Sequence, residues 1–263
     1  MSEGSPFQEH WVNIEPERLE RYEAMFQWNP ATAHFYEPAK ITKGDQVADF
    51  GCGPGHAAIE FAKWVGPQGH VHALDVNADF IRRVEENAAT VGFQDRITPH
   101  LLKDANLPLA NGSLDCVVAR NTVIYTEDPV ETFREFKRIL RKGGRAHAIE
   151  GDWRLTAVEP VPTDDWRALI EAASWAWPWP EIGRRLHATA REAGFDDVEV
   201  RVLTSPDTTG RLNGMIQTVA GYARESGSLE PEKIDSILET VAEAMSDRRY
   251  LAISPQFVVT AVA

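Results

Sequence analysis

The stretch that decides the fold reads Val47-Ala48-Asp49-Phe50-Gly51-Cys52-Gly53-Pro54-Gly55. An apolar run passes directly into three glycines, and an apolar helical pattern begins at about His56. Glycines let the backbone turn sharply and approach a ligand closely, and a helix N-terminus presents free amides with positive partial charge. We therefore predict a strand, a ligand-binding turn and a helix in succession.

Beyond this stretch, short apolar runs alternate with amphipathic segments. That alternation is the pattern of a parallel β-sheet covered by helices, so we predict an α/β fold. The predicted strands are Gln46 to Phe50, His70 to Asp75, Arg96 to Leu101, Leu114 to Ala119, Arg145 to Glu150, Asp197 to Thr204 and Tyr250 to Val262.

The clearest helix is predicted over Asp128 to Arg141, where apolar residues follow the 3.6-residue period. Asp128 is placed to cap it, and Pro129 suits its first position. Glu131 completes a capping-box pattern. Gly143-Gly144 is expected to supply the left-handed exit from the helix.

The remaining segments divide around the predicted sheet. Before it we predict two helices, Glu15 to Gln27 and Ala31 to Lys40, separated at Asn29-Pro30 because a residue before proline disfavours helix. After it comes an irregular Trp- and Pro-rich stretch, and later a helix with Pro231 at its first position. The expected organisation is an N-terminal helical cover (1–45) and one domain (46–263) with a Trp-rich insertion (152–180) and a helical cap insertion (205–249).

Composition narrows the class of protein. The 263 residues include 27 basic and 40 acidic ones, a formal charge of -13, which would repel a phosphate backbone, so we expect no nucleic acid partner. Only Cys52 and Cys116 occur, which favours a reducing cytoplasm and predicts neither disulfides nor a metal site. Neither a signal peptide nor a membrane span is expected. We expect a cytoplasmic monomer or homodimer that acts on a small molecule.

The spacing of the glycines distinguishes between two cofactors. A dinucleotide-binding loop needs Gly-x-Gly-x-x-Gly or Ala to admit a pyrophosphate, whereas the last position here is His56. With Asp49 before it and Gly55 inside it, the loop instead resembles the first motif of class I S-adenosylmethionine-dependent methyltransferases. The likeness is greatest to the methyltransferase type 11 and quinone-biosynthesis group.

Three further features stand in register with this motif. Asp75 ends the second predicted strand, Lys103-Asp104-Ala105 follows the third, and Leu114 to Asn121 resembles the fourth-strand motif. Together they extend the resemblance over about Gln46 to Glu150. The resemblance implies a Rossmann-like, doubly wound sheet of seven strands, mostly parallel with the last strand antiparallel, plus N-terminal helices and a helical cap.

The resemblance also implies a cofactor, S-adenosylmethionine, and a product, S-adenosylhomocysteine. Asp75 would accept hydrogen bonds from the ribose diol, Asp104 and its neighbour's amide would contact the adenine, and the end of the fourth strand would line the methionine moiety. Asp75 has an alternative role as the cap of the helix that starts near Asn77. The implied cofactor-binding residues are Tyr22, Asp49, Gly51, Cys52, Gly53, Gly55, Asp75, Val76, Asp104, Ala105, Arg120 and Asn121.

Catalytic residues are harder to identify, because a sulfonium methyl is already activated and the protein chiefly aligns the acceptor. Candidate bases are Tyr125, after the fourth strand, and Glu150 and Asp152, at the end of the fifth. Asp152 has an alternative role as a turn cap, and Tyr125 as a packing residue. Many relatives carry a histidine after the fourth strand where this chain has Thr122 to Thr126, so that histidine's role does not transfer.

The tryptophans are the main clue to the acceptor. A helical stripe from Trp166 to Trp177 is interpreted as core. Other aromatic residues are candidates to wall a pocket, so we predict a small apolar or aromatic acceptor, with O-, N- and C-methylation all open. The predicted substrate contacts are Tyr125, Trp153, Trp175 and Trp179, with Tyr22, Trp28, Phe35 and Tyr36 as further wall candidates.

Two other functions stay open. One is an NAD-dependent oxidoreductase on the same type of fold. The other is a non-catalytic protein that binds S-adenosylmethionine, because a fold does not fix a function. We also hypothesise that the helix of Tyr22 and the segment Thr208 to Met245 close over the cofactor.

Overall fold

The computed structural model describes residues 11–263, except for the side chain of Pro16. Residues 1–10 of the predicted N-terminal cover lie outside the described residues. The chain divides into two compact units. The first comprises the residues up to Ile149 together with 186–200 and 258–263, and the second comprises 150–185 and 201–257.

A seven-stranded sheet runs through the fold. Its strands are β1 (Gln46–Phe50), β2 (His70–Asp75), β3 (Ile97–Leu101), β4 (Leu114–Arg120), β5 (Leu140–Gly151), β7 (Asp197–Leu203) and β9 (Gln256–Val262), in the order β3-β2-β1-β4-β5-β9-β7. β1 is parallel to β2 and β4, β2 to β3, and β4 to β5. The predicted Rossmann-like α/β fold is confirmed.

The last strand runs antiparallel, as predicted. Gly143 donates its amide to the carbonyl oxygen of Ala263 at 2.7 Å, and the amide of Ala263 donates to Gly144 at 2.9 Å. The start of β5 thus meets the residue that follows β9. The prediction that Gly143-Gly144 forms a helix exit is therefore wrong, because this pairing draws both glycines into β5 and the helix before it ends at Ile139.

The predicted strand Tyr250 to Val262 is interrupted. It forms β8 (Leu251–Ile253) and β9, with Ser254 and Pro255 between them. Proline has no amide hydrogen to donate to a strand ladder, which explains the break. β8 pairs antiparallel with a short strand, β6 (Ala157–Glu159), in a second sheet.

Eight α-helices lie within the described residues. They are α1 (Pro16–Met25), α2 (His56–Val65), α3 (Ala78–Thr90), α4 (Pro129–Ile139), α5 (Thr163–Ala173), α6 (Ile182–Glu192), α7 (Asn213–Ser226) and α8 (Pro231–Ser246). The predicted cap of α4 is confirmed, since the Asp128 carboxylate accepts the amides of Val130 at 2.8 Å and Glu131 at 3.1 Å. Pro231 begins α8 as predicted.

The second predicted N-terminal helix is not an α-helix. Residues Pro30–Ala39 form a 3₁₀ helix that Asn29 caps, its side chain accepting the amide of Ala31 at 3.0 Å. Pro38 lies inside this segment, and it can donate no helical hydrogen bond. The predicted separation of the two helices at Asn29-Pro30 is confirmed.

In the second unit, the Trp-rich segment is more regular than predicted. It contains β6 and α5, and the stripe from Trp166 to Trp177 is buried, so its interpretation as core is confirmed. The indole of Trp166 donates to the carbonyl oxygen of Thr156 at 2.8 Å. The amphipathic pattern of α5 was strong enough to form a helix despite the surrounding prolines. Within the described part of the chain, no helix is both long and apolar enough to cross a lipid bilayer.

Candidate functional site

A cavity of about 940 Å³ lies in the first unit, where β1, β2 and β4 reach their carboxyl ends. Ligand pockets in proteins range from roughly 300 to 1,000 Å³, so this one is at the upper end. It is lined by all of the predicted cofactor-binding residues except Tyr22 and Gly55, namely Asp49, Gly51, Cys52, Gly53, Asp75, Val76, Asp104, Ala105, Arg120 and Asn121.

The glycine loop after β1 can hold its shape only with glycine at two positions. Gly51 has a φ of +73°, and a Cβ atom there would lie 2.3 Å from side-chain atoms of Thr122. Gly55 begins the turn into α2 with a φ of +85°, and a Cβ atom there would lie 2.9 Å from Val84 of α3. Gly55 therefore permits α2 to pack against α3, while Gly51 allows the loop to turn beside the cavity.

Asp49, the residue before the last of β1, is a buried carboxylate that is only 5% exposed. Its Oδ2 atom has no hydrogen-bond partner among the described residues. Burial raises the pKa of Asp49 to about 7, and the nearby Asp75 adds to this, while the amide of Ala58 and the charge of Arg120 oppose it. An unpaired buried oxygen beside a cavity is suited to a cationic or hydrogen-bond-donating ligand group.

Asp75 ends the neighbouring strand β2 and is 8% exposed. Its two oxygens accept backbone amides, Oδ2 from Gly53 and Oδ1 from Asn77, each at 2.9 Å. Burial raises the pKa of Asp75, although these amides oppose the rise. The alternative that Asp75 caps α3 is wrong, because the Asn77 side chain takes that role for the amides of Asp79 and Phe80.

Arg120, at the end of β4, is a basic group that lines the cavity. Its guanidinium donates to the hydroxyl of Tyr36 at 3.1 Å and lies within 3.5 Å of Thr32 Oγ1. It also lies over the rings of Phe35 and Tyr36, 5.7 and 5.9 Å from their centroids. Its Nε atom is buried without a hydrogen-bond partner among the described residues. Burial raises the pKa of Tyr36, so its hydroxyl stays protonated.

A buried histidine anchors the segment that carries Tyr36. The Nε2 atom of His147, on β5, lies 2.9 Å from the carbonyl oxygen of Phe35. The Nδ1 atom of the same ring lies 2.9 Å from Thr260 Oγ1, on β9. The 3₁₀ helix is thus tied to two strands of the sheet.

Other contacts brace the loop after β3. The amide of Leu107 donates to Glu135 Oε2 at 3.0 Å, and Arg138 donates to the carbonyl oxygen of Leu107 at 2.9 Å. Asp104, in this loop, accepts the amide of Asn106 at 2.8 Å. At the end of β4, Asn121 has a φ of +51° and donates its amide to Ile149 at 2.9 Å. These contacts hold the backbone of both loops beside the cavity.

One wall of the cavity is aromatic and was not predicted from the sequence. It is formed by Trp11, Phe26 and Phe80. A Cβ atom on Gly53 would lie 3.3 Å from the ring of Phe26, so that ring covers the glycine loop. Tyr22 does not line the cavity; it is buried and stacks on Phe26, with centroids 5.6 Å apart. Tyr22, on α1, and Phe26, which directly follows α1, are four residues apart, and this spacing was the signal that could have identified Phe26 as part of the wall.

Tyr125 and His56 also line the cavity. Tyr125 meets the ring of Trp11 edge-on at 4.9 Å. His56 is the first residue of α2, and its Nε2 atom lies 3.1 Å from Gln27 Nε2. Burial lowers the pKa of His56, which favours the neutral ring. Trp28 and Tyr36, two of the further wall candidates, line the cavity as well.

The other predicted substrate contacts, Trp153, Trp175 and Trp179, belong to the second unit. The rings of Trp153 and Trp177 are stacked at 4.5 Å, the indole of Trp175 donates to Tyr222 at 2.8 Å, and Arg185 lies 4.6 Å from the ring centroid of Trp179. Their predicted substrate contacts stay predictions.

Glu150 and Asp152 are both buried, at the end of β5 and just after it. Asp152 caps a short 3₁₀ turn by accepting the amides of Arg154 and Leu155, and its carboxylate pairs with Arg184 at 2.7 Å. The cap proposed as its alternative role is therefore present. A catalytic role for either carboxylate stays a prediction.

Comparisons with known proteins agree with the fold. The family described as a methyltransferase domain matches residues 47–144. A demethylmenaquinone methyltransferase of Symbiobacterium thermophilum is 26% identical over 218 residues, which cover 70% of this chain and 84% of that protein. An uncharacterised 37.1 kDa protein from a transposon of Streptomyces fradiae is 32% identical over 62% of this chain and 46% of its own length.

A solved structure extends the likeness to the whole chain. Geranyl diphosphate C-methyltransferase from Streptomyces coelicolor, in complex with S-adenosyl-L-homocysteine, has a TM-score of 0.63 and 16% identity, with all of both chains covered. At this identity the likeness concerns the fold. The chain spans less than half the length of several of the curated relatives that it matches.

Proposed function

We propose that this chain, a member of the class I S-adenosylmethionine-dependent methyltransferases, transfers a methyl group from S-adenosylmethionine to a small molecule. One observation carries the proposal: the buried Oδ2 atom of Asp49, which has no hydrogen-bond partner in the part of the chain that the structure describes, lies beside a cavity lined by the glycine loop and by Arg120. A carboxylate and a guanidinium at one cavity suit the amino and carboxylate groups of the cofactor's methionine part.

The remaining lining residues fit the other parts of the cofactor. Asp75 has lone pairs beyond the two that its amide contacts use, so it can also accept from a ribose diol. Val76 is exposed at the cavity and offers an apolar surface to a flat base. Asp104 and the amide of Ala105 are assigned to the polar edge of that base.

When bound, S-adenosylmethionine supplies a methyl group already activated by its sulfonium. The chain's own residues then have to orient an acceptor and exclude water. Orientation alone can lower the activation barrier by about 7–11 kcal/mol. Phe26, Trp11 and Tyr125 are assigned this role because they are among the aromatic residues that line the cavity, and the rings of Trp11 and Tyr125 are in contact. The two native thiols are buried, and burial raises their pKa values, so neither is assigned a part in the chemistry.

The acceptor is proposed to be apolar or aromatic. The volume of about 940 Å³ is at the upper end of the range for single ligands, which leaves space beside a cofactor. Aromatic rings favour flat or apolar partners through burial and stacking.

Calorimetric titration of the full chain tests the cofactor assignment. S-adenosylmethionine and S-adenosylhomocysteine are expected to bind. NAD is expected not to bind, because His56, the first residue of α2, stands where a dinucleotide-binding loop needs glycine or alanine, and its Nε2 atom lies 3.1 Å from Gln27 Nε2. Binding of NAD without binding of S-adenosylmethionine would overturn the proposal and favour an oxidoreductase.

Turnover then separates an enzyme from a protein that only binds the cofactor. The chain is incubated with S-adenosylmethionine and with separate panels of phenols, quinols, prenyl compounds and aliphatic amines, and products that have gained one methyl group are detected by mass spectrometry. Product from the aromatic or prenyl panels is the expected result. Product from the aliphatic amines alone would contradict the proposed acceptor class but not the methyl transfer.

A further inference from the structure

Tyr36 lines the cavity with a hydroxyl group that still has a proton to donate. The residue is only 3% exposed and lies in the 3₁₀ helix Pro30–Ala39. A phenol hydroxyl accepts hydrogen bonds at its oxygen and donates one through its proton. Nη1 of Arg120 donates to this oxygen at 3.1 Å, and a guanidinium has no atom that can accept. The contact with Arg120 therefore leaves the proton of Tyr36 for another partner.

That partner is not found in the part of the chain that the structure describes. The contact with Arg120 is the one hydrogen bond that the Tyr36 side chain makes with the described residues. Burial raises the pKa of Tyr36, so the hydroxyl keeps its proton at neutral pH. Oδ2 of Asp49 lines the same cavity and lacks a hydrogen-bond donor among the described residues. A donor and an acceptor of one cavity thus stay apart from each other, an arrangement that leaves each of them to a ligand.

The ring of Tyr36 is held in place by its neighbours. Its centroid lies 5.4 Å from the ring centroid of Trp28 and 5.4 Å from that of Phe61. The adjoining backbone is fixed as well, because the carbonyl oxygen of Phe35 lies 2.9 Å from Nε2 of the buried His147. A hydroxyl that is positioned in advance needs little reorganisation when a ligand binds.

Arg120 has an unused donor beside the same hydroxyl. Its Nη1 atom contacts Tyr36 and lies within 3.5 Å of Thr32 Oγ1, whereas its Nε atom is buried without a hydrogen-bond partner among the described residues. Hydrogen bonds from a guanidinium are strongest to an ionised acceptor. Tyr36 and Arg120 together therefore suit an oxygen that carries negative charge.

We propose that Tyr36 is a ligand-binding residue that donates its hydroxyl proton to an anionic oxygen bound beside Arg120. This role of Tyr36 rests on the proposed function and extends it. Two anionic oxygens fit the same chemistry, the carboxylate of the cofactor's methionine part and an ionised oxygen of the acceptor, such as a phenolate. Each has lone pairs for both donors, and the two sources are distinguished by the ligands used in the test.

Removal of the hydroxyl alone tests the role of Tyr36. Tyr36→Phe keeps the ring and its packing, and calorimetry measures the affinity of the full chain for S-adenosylmethionine and for its decarboxylated analogue. A hydrogen bond to a charged group corresponds to a loss of about 10- to 100-fold. A loss of this size for S-adenosylmethionine, with unchanged affinity for the decarboxylated analogue, assigns the anion to the cofactor.

A second titration addresses the acceptor. The chain is saturated with S-adenosylhomocysteine, and binding of 4-nitrophenolate is followed by its absorbance. If Tyr36→Phe binds S-adenosylmethionine normally but binds 4-nitrophenolate about tenfold more weakly than the wild type, the anion belongs to the acceptor. A variant that matches the wild type with all three ligands overturns the proposal. So does an equal loss for S-adenosylmethionine and its decarboxylated analogue.

Thr32→Val is the matched control. Thr32 Oγ1 lies near the same Nη1 atom of Arg120, but its hydroxyl already donates to the carbonyl oxygen of Asn29 at 2.8 Å. Thr32 is also not among the described residues that line the cavity. Its variant is expected to bind each ligand as the wild type does. An equal loss in Thr32→Val and Tyr36→Phe would assign the effect to the position of Arg120 and contradict the proposal.

The same measurements separate this role from the proposed function. A wild type that binds no S-adenosylmethionine contradicts the proposed function itself. A wild type that binds it, beside a Tyr36→Phe variant with unchanged affinities, rejects only the role of Tyr36. Circular dichroism confirms that both variants are folded.

Discussion

The ends of β1 and β2 each place a buried aspartate beside the same cavity, but the two carboxylates are held differently. Asp75 accepts two backbone amides at 2.9 Å, whereas Oδ2 of Asp49 has no hydrogen-bond partner among the described residues. A buried polar atom without a partner costs free energy. We infer that the hydrogen bonding of Asp75 is satisfied without a ligand, whereas that of Asp49 is satisfied only when a ligand binds. Asp75 then serves structure as well as binding, and Asp49 serves binding at a cost in stability.

The largest expected effect comes from a substitution in the turn that directly follows β1. Gly51→Ala places a methyl group 2.3 Å from Thr122 at a φ of +73°, so unfolding free energy is expected to fall by about 2–5 kcal/mol. Gly92→Ala is the matched control, because its φ of +74° is the same but nothing lies within 4 Å of the added carbon. Its expected loss is only about 1–2 kcal/mol. Urea denaturation measures both, and equal losses would show that the contact with Thr122 is unimportant.

The next effect concerns binding at the end of β1. Asp49→Asn removes the charge but keeps the shape, so the affinity for S-adenosylmethionine is expected to fall about 10- to 100-fold, the range for a hydrogen bond to a charged group. The ligand-free variant should be at least as stable as the wild type at pH 8, because burying a neutral amide costs less than burying a carboxylate. Calorimetry and thermal unfolding provide the two measurements. Unchanged affinity would exclude Asp49 from the binding site.

The same substitution at the end of β2 should act in the opposite sense on stability. Asp75→Asn turns an amide donor towards the backbone amide of either Gly53 or Asn77, and the expected loss is about 1–3 kcal/mol of unfolding free energy. Thermal unfolding without ligand measures it. If Asp49→Asn and Asp75→Asn change the stability equally, the contrast between the two strand ends is wrong.

The smallest effect is a pH dependence. With a pKa of about 7, Asp49 becomes ionised between pH 6 and pH 8, so affinity for the cationic cofactor should rise by roughly tenfold over this range. The stability of the ligand-free protein should change with pH in the opposite direction. Because folding raises the pKa of Asp49, this group contributes stability in acid, and the contribution is lost as pH rises from about 4 through 7. The affinity profile should flatten in Asp49→Asn. An unchanged slope would assign the titration to another group, such as His56.

Much of the fold around the cavity could be predicted, because the sequence signals for its strands and helix caps are local. The strand before Gly51, the cap at Asp128 and the strand end at Asp75 each depend on residues close together in sequence. The aromatic wall as a whole could not be predicted in this way, because Trp11 and Phe80 come from separate segments that only the fold brings together with Phe26. The start of β5 at Leu140 likewise depends on a pairing with Ala263, far along the chain.

The tie between Phe35, His147 and Thr260 has a consequence for the order in which the protein matures. Chains leave the ribosome from the N-terminus, and the contacts of His147 span 112 residues back to Phe35 and 113 residues forward to Thr260. The glycine loop is therefore synthesised long before the segment that carries Tyr36 can be fixed to the sheet. The tie becomes complete only when β9 has been translated, because Thr260 then fixes the His147 ring that contacts the carbonyl oxygen of Phe35.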